Sequence, residues 1–263
     1  MEHMNEPEPV VVAVDFTATE LRLMMSDLAG QPLIRQLHPL PELPTEEAWA
    51  WEVGGRISTL FAAEGNKRWA LAIGVACPGV VDGPAGRLVE SDGQEGWDGL
   101  AVVEALRRHI DTPVVALSRI EAALRGEASA GAAASAYDSL YVALNQHPAA
   151  AMMSGGRIVG GGSGRAGALP ALPEMVPGEP LDDETVQAAA SLLADASALL
   201  DPSVIVLHGD PAQVDALIPI LQGVLDEIAP GPQVVPAALG ENAAILGAYH
   251  AAAIVAYEGE RHE

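Results

Sequence analysis

The chain has 263 residues, of which 49% are hydrophobic and only 4% aromatic, and its formal net charge is -23. This length suits one large domain or two smaller lobes, with a core built from Ala, Val, Leu and Ile. The 13 Lys and Arg residues are scattered along the sequence. They therefore form no basic face that could neutralise phosphates, and we expect no direct binding to nucleic acid.

The sequence also argues against several cellular settings. It has no run of about 18 uncharged apolar residues, so we expect no membrane span. Residues 1–9, MEHMNEPEP, lack the basic and apolar regions of a signal peptide. The single cysteine, Cys77, excludes a disulfide framework and a cysteine-based zinc site within one chain. Together these features predict a cytoplasmic protein.

Hydrophobic periodicity predicts three consecutive strands at the start of the chain, followed by alternating helices and strands. Thr45 is the expected N-cap of the first helix, since Glu46 and Glu47 then suit its dipole. Cys77-Pro78-Gly79 is expected to form a loop. The predicted strands are 10–15, 20–26, 32–37, 69–76 and 113–117, and the predicted helices are 45–64, 97–109 and 120–134.

The order of elements partly recurs in the second half. A hairpin is predicted to turn at Gly155-Gly156, and a polar, Pro-rich link runs from Pro170 to Pro180. Because three strands are again followed by alternating helices and strands, we predict an α/β fold with mixed sheets, two lobes and a cleft. The predicted strands here are 139–145, 149–154, 156–159, 202–207 and 233–236, and the predicted helices are 183–200, 211–227 and 241–257.

Several stretches, in order and at matching spacing, resemble the ROK family of bacterial sugar kinases and sugar-responsive repressors. That family has the two-lobed, actin-like (ribonuclease H-like) ATPase fold, and the resemblance covers about Val10 to Ala253. The stretches are VVAVDFTATELRLMMSDLAGQPL, IGVACPGVVDGPAGRLVES, GWDGL, TPVVALSRIEAALRGEASAGAA, GGRIVGGGSGRAGALP, DPSVIVLHGD and VPAALGENAAILGAYHAA.

The resemblance also implies domain boundaries. The N-terminal lobe would comprise residues 10–116 and take back the C-terminal helix, 241–257. The C-terminal lobe would comprise residues 117–240, with flexible tails at 1–9 and 258–263.

The resemblance places Asp15-Phe16-Thr17-Ala18-Thr19 at a phosphate-binding turn with the pattern Asp-x-Gly-x-Thr. In the family the acid helps to hold magnesium-bound phosphates, and the glycine lets the backbone approach them. Thr17 replaces that glycine. Asp15 and Thr19 are therefore the remaining candidates for nucleotide contact. An Asp that simply ends a strand before a hairpin is an equally good interpretation.

A second phosphate loop is more deeply altered. Asn145-Gln146-His147-Pro148-Ala149 stands where the family has Gly-Thr-Gly-x-Gly. All three glycines are replaced, and Pro148 removes a backbone donor and fixes φ. His147 has no obvious partner in the sequence. We infer that this hairpin is a former phosphate site without the residues that such a site needs.

The catalytic base is also replaced. Leu117-Ser118-Arg119 stands where the family has Glu-Asn-Asp, whose Asp accepts a proton from the sugar hydroxyl. Arg does not deprotonate near neutral pH and so excludes that mechanism here. Glu121 is two positions further, about 200° around a helix. Arg119 could bind an anionic ligand, but a surface or capping charge is the favoured interpretation.

The sugar, zinc and adenosine positions differ as well. Ala168 and Ala171 replace the Glu and His that bind sugar in the family, where the His often also ligates zinc. The family's cysteine-rich zinc loop is reduced to the link at 170–180. Gly209 is the one glycine left of the pair under the adenosine, and Asp210 beside it is expected to cap the next helix.

These losses fall on nucleotide, base, sugar and metal positions while the core pattern survives. We therefore predict a folded ROK-like protein that is not a working sugar kinase and needs no cofactor, with no catalytic residue and no metal site. The candidates for a ligand cleft are Pro78, Gly79, Asp82, Ser118 and Arg119. The chain would bind a small or anionic molecule, or a protein partner. The family also implies a homodimer.

Two alternatives stay open. A kinase with a rearranged site would use Mg-ATP, Asp15 for the metal and an unforeseen base. A module of the repressor branch would act through another chain, since only nine residues precede the first strand and leave no room for that branch's DNA-binding domain.

Overall fold

The computed structural model describes residues 7–63, 67–92, 94, 96–169, 172–227 and 231–260. The sequence predictions made for residues 1–6, Glu64, Pro170, Ala171 and 261–263 lie outside these ranges. The chain divides into two compact units. One comprises Met1–Ala122 and Ala244–Glu263, and the other Ala123–Ala243.

The first unit is built on a mixed sheet with the order β3-β2-β1-β4-β7. The first three strands pair antiparallel, whereas β4 and β7 run parallel to β1. A separate hairpin, β5–β6, follows β4. The bounds are β1 (Glu8–Phe16), β2 (Glu20–Ser26), β3 (Pro32–Pro39), α1 (Glu46–Ala63), β4 (Arg68–Cys77), β5 (Gly79–Asp82), β6 (Arg87–Ser91), α2 (Val102–Arg107) and β7 (Val114–Ser118).

Each face of this sheet carries its own apolar core. On one face, α1 and α2 bury an aromatic cluster in which the ring centroid of Phe16 lies 5.1 Å from Trp49 and 5.3 Å from Trp97. On the other face lies α6 (Ala243–Glu260), which packs Ala and Ile side chains on β1 and β4. Although α6 is apolar on most of its faces, no helix in the described part of the chain is long and apolar enough to cross a membrane.

The second unit has a sheet with the order β10-β9-β8-β11-β12 and a core closed by α4 and α5. Strands β8, β9 and β10 pair antiparallel, and β11 runs parallel to both β8 and β12. Helix α3 spans the point at which the chain divides. The bounds are α3 (Arg119–Ala130), β8 (Ser139–Leu144), β9 (Ala149–Ser154), β10 (Arg157–Ile158), α4 (Asp183–Leu200), β11 (Val204–Gly209), α5 (Pro211–Leu225) and β12 (Gln233–Pro236).

Most predicted elements are confirmed to within a few residues, but the region after β4 is not. The helix predicted from Trp97 to His109 is wrong over its first part, because it starts only at Val102. Gly96 and Gly99 have φ of +88° and +80°, values outside the helical region. Trp97 instead lies buried in a loop, where its indole N–H donates to Leu43 O at 2.7 Å.

The predicted loop Cys77-Pro78-Gly79 is also corrected. Strand β4 continues through Cys77, and β5 already begins at Gly79. The β5–β6 hairpin has no counterpart among the predicted elements. Gly79 makes this pairing possible, since its φ is +118° and a Cβ there would lie 2.1 Å from Glu90 O.

Candidate functional site

The guanidinium of Arg119 forms a two-point ion pair with the carboxylate of Asp15. Nε donates to Oδ1 at 2.6 Å and Nη2 donates to Oδ2 at 3.3 Å. Asp15 is only 1% exposed, whereas the Arg119 side chain is 33% exposed. The acid implicated in magnesium binding and the residue at the base position therefore neutralise each other.

Parallel strands bring these two residues together. Asp15 pairs in register with Ala76 of β4, and Cys77 of the same strand pairs with Ser118 of β7. Because parallel strands end at the same edge of a sheet, Asp15, Cys77 and Ser118 share one edge. Arg119 follows Ser118 directly as the first residue of α3, so its side chain reaches back to Asp15.

Ser118 and Glu121 form a capping box at the start of α3. The Ser118 hydroxyl accepts the Glu121 N–H at 3.3 Å, and Oε2 of Glu121 accepts the Ser118 N–H at 3.2 Å. This reciprocal pair satisfies two backbone donors at the helix start. The carboxylate of Glu121, which is the nearest one along the chain to the base position, thus caps the start of its own helix.

Cys77 adds no nucleophile to this edge. Its side chain is fully buried. Burial, followed by the negative charge of Asp15, raises the pKa of the Cys77 thiol far above its ordinary value. Because the thiolate is the reactive form, the neutral thiol here is inert.

Thr17 closes the β1–β2 turn with its own side chain. Its hydroxyl accepts the backbone N–H groups of Thr19 at 3.3 Å and Glu20 at 3.1 Å. Its own N–H donates to Glu20 O at 2.8 Å. A phosphate loop needs such N–H groups turned toward the ligand. Here three of them serve the turn itself, and Thr19 lies exposed on it.

In the second unit, the β8–β9 turn is also held by internal hydrogen bonds. The Asn145 side chain accepts the His147 N–H at 2.9 Å, and Asn145 O accepts the Met175 N–H at 3.0 Å. Among the described residues, Asp201 is the single non-glycine residue with positive φ. Residues 145–149 therefore form the turn in ordinary backbone conformations and without the glycine-dependent geometry of a phosphate loop.

The position that corresponds to the sugar-binding Glu lies in an edge pairing. Ala168 forms a bridge with Ala149, and the neighbouring Gly167 O accepts the Ala150 N–H at 2.7 Å. The methyl group of Ala168 can neither form a hydrogen bond with a sugar nor ligate a metal. In the part of the chain that the structure describes, no group of three or more His, Cys, Asp or Glu could hold a metal ion. These described residues therefore do not fit a zinc site, which needs three or four such ligands.

Gly209 and Asp210 lie at the end of β11 and the start of α5. A Cβ on Gly209 would lie 2.5 Å from Leu144 O, so glycine lets β11 approach β8 closely. The expected cap is confirmed, because the Asp210 carboxylate accepts the N–H groups of Ala212 and Gln213, each at 3.1 Å.

A groove of about 550 Å³ lies beside this cap, within the second unit. Gln213 forms part of the groove wall. The Gln213 side-chain amide donates to Val176 O at 2.8 Å and to Glu179 O at 2.7 Å. Such a volume falls in the range of small-molecule pockets. The groove is lined by Gly178, Glu179, Pro180, Leu181, Asp183, Val186, Asp210, Ala212, Gln213, Ala216, Leu217 and Ile220.

The other predicted cleft residues lie in the β5–β6 hairpin. Pro78 O accepts the Asp92 N–H at 3.2 Å, and Gly79 makes the close approach to Glu90. The Asp82 carboxylate accepts the Ala85 N–H at 3.1 Å and so closes the hairpin turn. Each of these candidates therefore has a local structural contact, whereas Ser118, Arg119 and Asp15 meet at one sheet edge.

Sequence reasoning missed two polar arrangements. The capping box was readable from the Ser-x-x-Glu spacing at 118–121. The second is the fully buried carboxylate of Glu127, which accepts the N–H groups of Ala132 at 2.6 Å, Ala238 at 3.2 Å and Leu239 at 2.8 Å. No sequence signal marks the latter, because two of the donors, Ala238 and Leu239, lie more than 100 residues away from Glu127.

Comparisons with known proteins agree with this fold. A model described as "ROK family" matches residues 11–170. The ROK hexokinase from Thermus thermophilus has a TM-score of 0.77 and 21% identity, over 97% of this chain and 100% of that chain. A ROK family transcriptional regulator, a homologue of E. coli MLC protein, has a TM-score of 0.78 and 16% identity, over 97% of this chain and 80% of that chain.

A third structure, a ROK family protein from Streptococcus pneumoniae TIGR4 in complex with sucrose, has a TM-score of 0.74 and 16% identity. The match covers 96% of this chain and 99% of that chain. No curated protein is similar enough in sequence to count as a match. At these identities the structural likeness shows the fold, and kinases and a regulator share it.

Proposed function

We propose that this chain, which belongs to the ROK family, is a non-catalytic member that acts by binding a small ligand or a protein partner. The observation that carries this proposal is the ion pair between Asp15 and Arg119. It joins the two positions at which a family kinase would hold its metal and its base. The proposal therefore includes no requirement for Mg-ATP or zinc.

The first support is the absence of a proton acceptor at the base position. A general base must accept a proton near neutral pH, and a guanidinium cannot. The Arg119 guanidinium is also fixed by Asp15 at 2.6 Å and 3.3 Å. Glu121 is held by the capping box, so its carboxylate already serves the start of α3.

The second support is the state of the two phosphate turns. In the β1–β2 turn, the N–H groups of Thr17, Thr19 and Glu20 are taken by internal acceptors. In the β8–β9 turn, Asn145 accepts the His147 N–H and Pro148 has none to offer. Transfer of a phosphoryl group depends on positioned donors and cations around the phosphates. Neither turn presents such an array.

The groove beside α5 supports a ligand-binding role. Its volume of about 550 Å³ suits a small organic molecule. Relatives of the same fold include a protein crystallised with sucrose and a transcriptional regulator. We propose a small-molecule ligand for this groove and a regulatory role exerted through another protein. Because the sole cysteine is unpaired and buried, we also propose a cytoplasmic location.

The proposal can be tested by a coupled ATPase assay over a panel of sugars, together with thermal melts with and without Mg-ATP. The Thermus thermophilus ROK hexokinase serves as the positive control. We expect no sugar-dependent turnover and no shift of the melting temperature by Mg-ATP. Sugar-dependent turnover that Asp15→Asn abolishes would overturn the proposal and establish a kinase with a rearranged site.

A further inference from the structure

The groove beside α5 offers an apolar surface to a ligand. Its apolar side chains come from the loop before α4, the first turn of α4 and the first part of α5, and they include Leu181, Val186, Ala216 and Ile220. Ile220 is 45% exposed, although isoleucine is among the residue types that are most often buried. A ligand with an apolar body would remove this surface from water, which favours binding.

Gln213 supplies an oriented acceptor to the groove. The residue is only 5% exposed, and its side-chain nitrogen donates to Val176 O and Glu179 O. Because both partners are carbonyl oxygens, the amide nitrogen has to face them and Oε1 has to point the other way. Oε1 accepts no hydrogen bond from the residues that the structure describes, yet it is not sealed from solvent. It therefore presents an unpartnered acceptor to the groove that Gln213 lines.

Three carboxylates line the same groove, those of Glu179, Asp183 and Asp210. Asp210 uses Oδ1 for both of its capping bonds, which leaves Oδ2 to a ligand. Within the described ranges of the chain, none of the three acids forms an ion pair with a basic side chain. Like charges around one groove repel each other, and a cation placed among them offsets that repulsion.

The groove has little to offer an anion. Among the described residues that line it, none is Lys, Arg or His. The start of a helix normally attracts anions through its free N–H groups, but at α5 the Asp210 carboxylate already accepts two of them. At α4 the Asp182 carboxylate accepts the Thr185 N–H at 2.7 Å. A nucleotide or a sugar phosphate would therefore meet three carboxylates here without a counterion.

We propose that the groove beside α5 binds a cationic amphiphile, that is, an organic amine with an apolar body. An ammonium group has only donors, and the side-chain atoms that Gln213 and the three acids leave to a ligand are all acceptors. Hydrogen bonds between an ammonium and a carboxylate are also stronger than neutral ones. The assignment rests on the proposed small-molecule role of this groove and gives the chemical class of its ligand.

Three compounds with one indole skeleton test the sign of the charge: tryptamine, tryptophol and indoleacetate, which are cationic, neutral and anionic at neutral pH. Isothermal titration calorimetry with the full chain measures the affinity of each. We expect tryptamine to bind with a dissociation constant in the millimolar range, tryptophol to bind at least about fivefold more weakly, and indoleacetate not to bind. Added salt should weaken the binding of tryptamine. Equal binding of tryptamine and tryptophol, or no binding of tryptamine, would overturn the proposal.

Substitutions locate the site, because a chain with a net charge of -23 attracts cations to other acidic surface as well. Asp183→Asn and Asp210→Asn each remove one charge from the groove, and asparagine retains the cap of α5. We expect tryptamine to bind about three- to fivefold more weakly to either variant. Asp215→Asn is the matched control, since Asp215 is an exposed acid on α5 outside the groove lining, and it should bind like the wild type. Equal weakening by all three changes would show that tryptamine follows the net charge, and would contradict the assignment.

A variant that fills the groove covers the case in which a charge variant does not fold. Ala216 is an exposed residue of the groove wall, so a larger side chain there occupies the groove without entering the core. We expect Ala216→Trp to abolish tryptamine binding although every carboxylate remains. Unchanged binding by Ala216→Trp would place tryptamine elsewhere and overturn the proposal.

Failure of this assignment can be told apart from failure of the proposed function. If tryptophol or indoleacetate binds as tightly as tryptamine, and Ala216→Trp abolishes that binding, the groove holds a small ligand of another class. Only the cationic assignment is then overturned. Sugar-dependent turnover would instead overturn the non-catalytic role.

Discussion

Asp15 and Arg119 lie 104 positions apart in the sequence, yet the arginine contacts both oxygens of the aspartate. The aspartate is nearly inaccessible, and the guanidinium beside it offsets a charge that is costly to bury. A divalent cation at the same carboxylate would have to displace a fixed guanidinium. Under the proposed function, this pair has a structural role in place of a metal-binding one.

The first prediction concerns the stability that this pair provides. Arg119→Ala removes this guanidinium from beside the buried Asp15 carboxylate. We expect the free energy of unfolding to fall by roughly 2–4 kcal/mol, somewhat less than for a fully buried pair, because Arg119 is one-third exposed. Urea unfolding followed by circular dichroism measures this change.

Arg56→Ala is the control, because it breaks a more exposed pair with Glu52 and should cost at most about 1 kcal/mol. The combination Asp15→Asn with Arg119→Ala should cost less than the two single changes added together. Additive effects would mean that the two residues stabilise the fold independently of one another.

The second prediction concerns metal affinity. Arg119→Asp replaces the guanidinium by a second carboxylate beside Asp15, and the two like charges repel each other. We expect this variant to melt at a lower temperature than the wild type and to be stabilised by millimolar Mg²⁺. The wild type should show no such stabilisation. If Mg²⁺ stabilises the wild type equally, Asp15 is open to metal despite Arg119.

The third prediction follows from the buried thiol of Cys77. Its pKa is raised in the folded state, whereas the unfolded chain titrates near the ordinary value of 9.0. Above that value the unfolded chain binds fewer protons than the folded one, so stability falls as the pH rises. We expect the wild type to lose stability between pH 9.0 and pH 10.0, with a slope of at most about 1.4 kcal/mol per pH unit.

Cys77→Ala is the comparison, since it should lose less stability over the same pH interval. Above pH 10.0 the raised pKa of Tyr249 acts in the same direction and obscures the difference. Parallel stability curves for the two proteins would show that the Cys77 thiol does not govern this titration.

The sequence predicted the repeated order of elements because buried strands of aliphatic residues have a strong local pattern, as in Val10–Asp15 and 202–207. It failed from Gly79 to Val102, where the backbone conformation depends on tertiary contacts. Gly99 has a φ of +80°, which excludes a helix at this position. The indole N–H of Trp97 donates to Leu43 O, 54 residues away in the sequence. Periodicity within a short window contains no information on either feature.

The same reason limits prediction of the site. The replacement of a carboxylate by Arg119 is visible in the sequence, and it excludes a base by chemistry alone. Its partner was not visible, because the pairing of Asp15 with Arg119 depends on the parallel order of β1, β4 and β7. A surface or capping charge was the favoured interpretation of Arg119, and the structure shows an ion pair with a buried acid instead.

The fourth prediction concerns Glu127, whose buried carboxylate accepts three backbone N–H groups in the second unit. In Glu127→Gln one oxygen becomes an NH₂ group, which faces an N–H donor and leaves it unsatisfied. Each buried donor without a partner costs about 1–3 kcal/mol. We therefore expect a lower free energy of unfolding, together with faster hydrogen exchange at Ala132, Ala238 and Leu239, measured by NMR.

Glu121→Gln is the matched control, since the capping-box carboxylate is less buried and accepts one N–H, that of Ser118. Glutamine also serves in capping boxes, so this variant should change stability little. The comparison separates the loss of a negative charge, common to both variants, from the loss of buried acceptors. If both changes destabilise the protein equally, the effect comes from the lost charge. If only Glu127→Gln destabilises it, the Glu127 carboxylate is the acceptor that holds the 238–239 backbone against the end of α3.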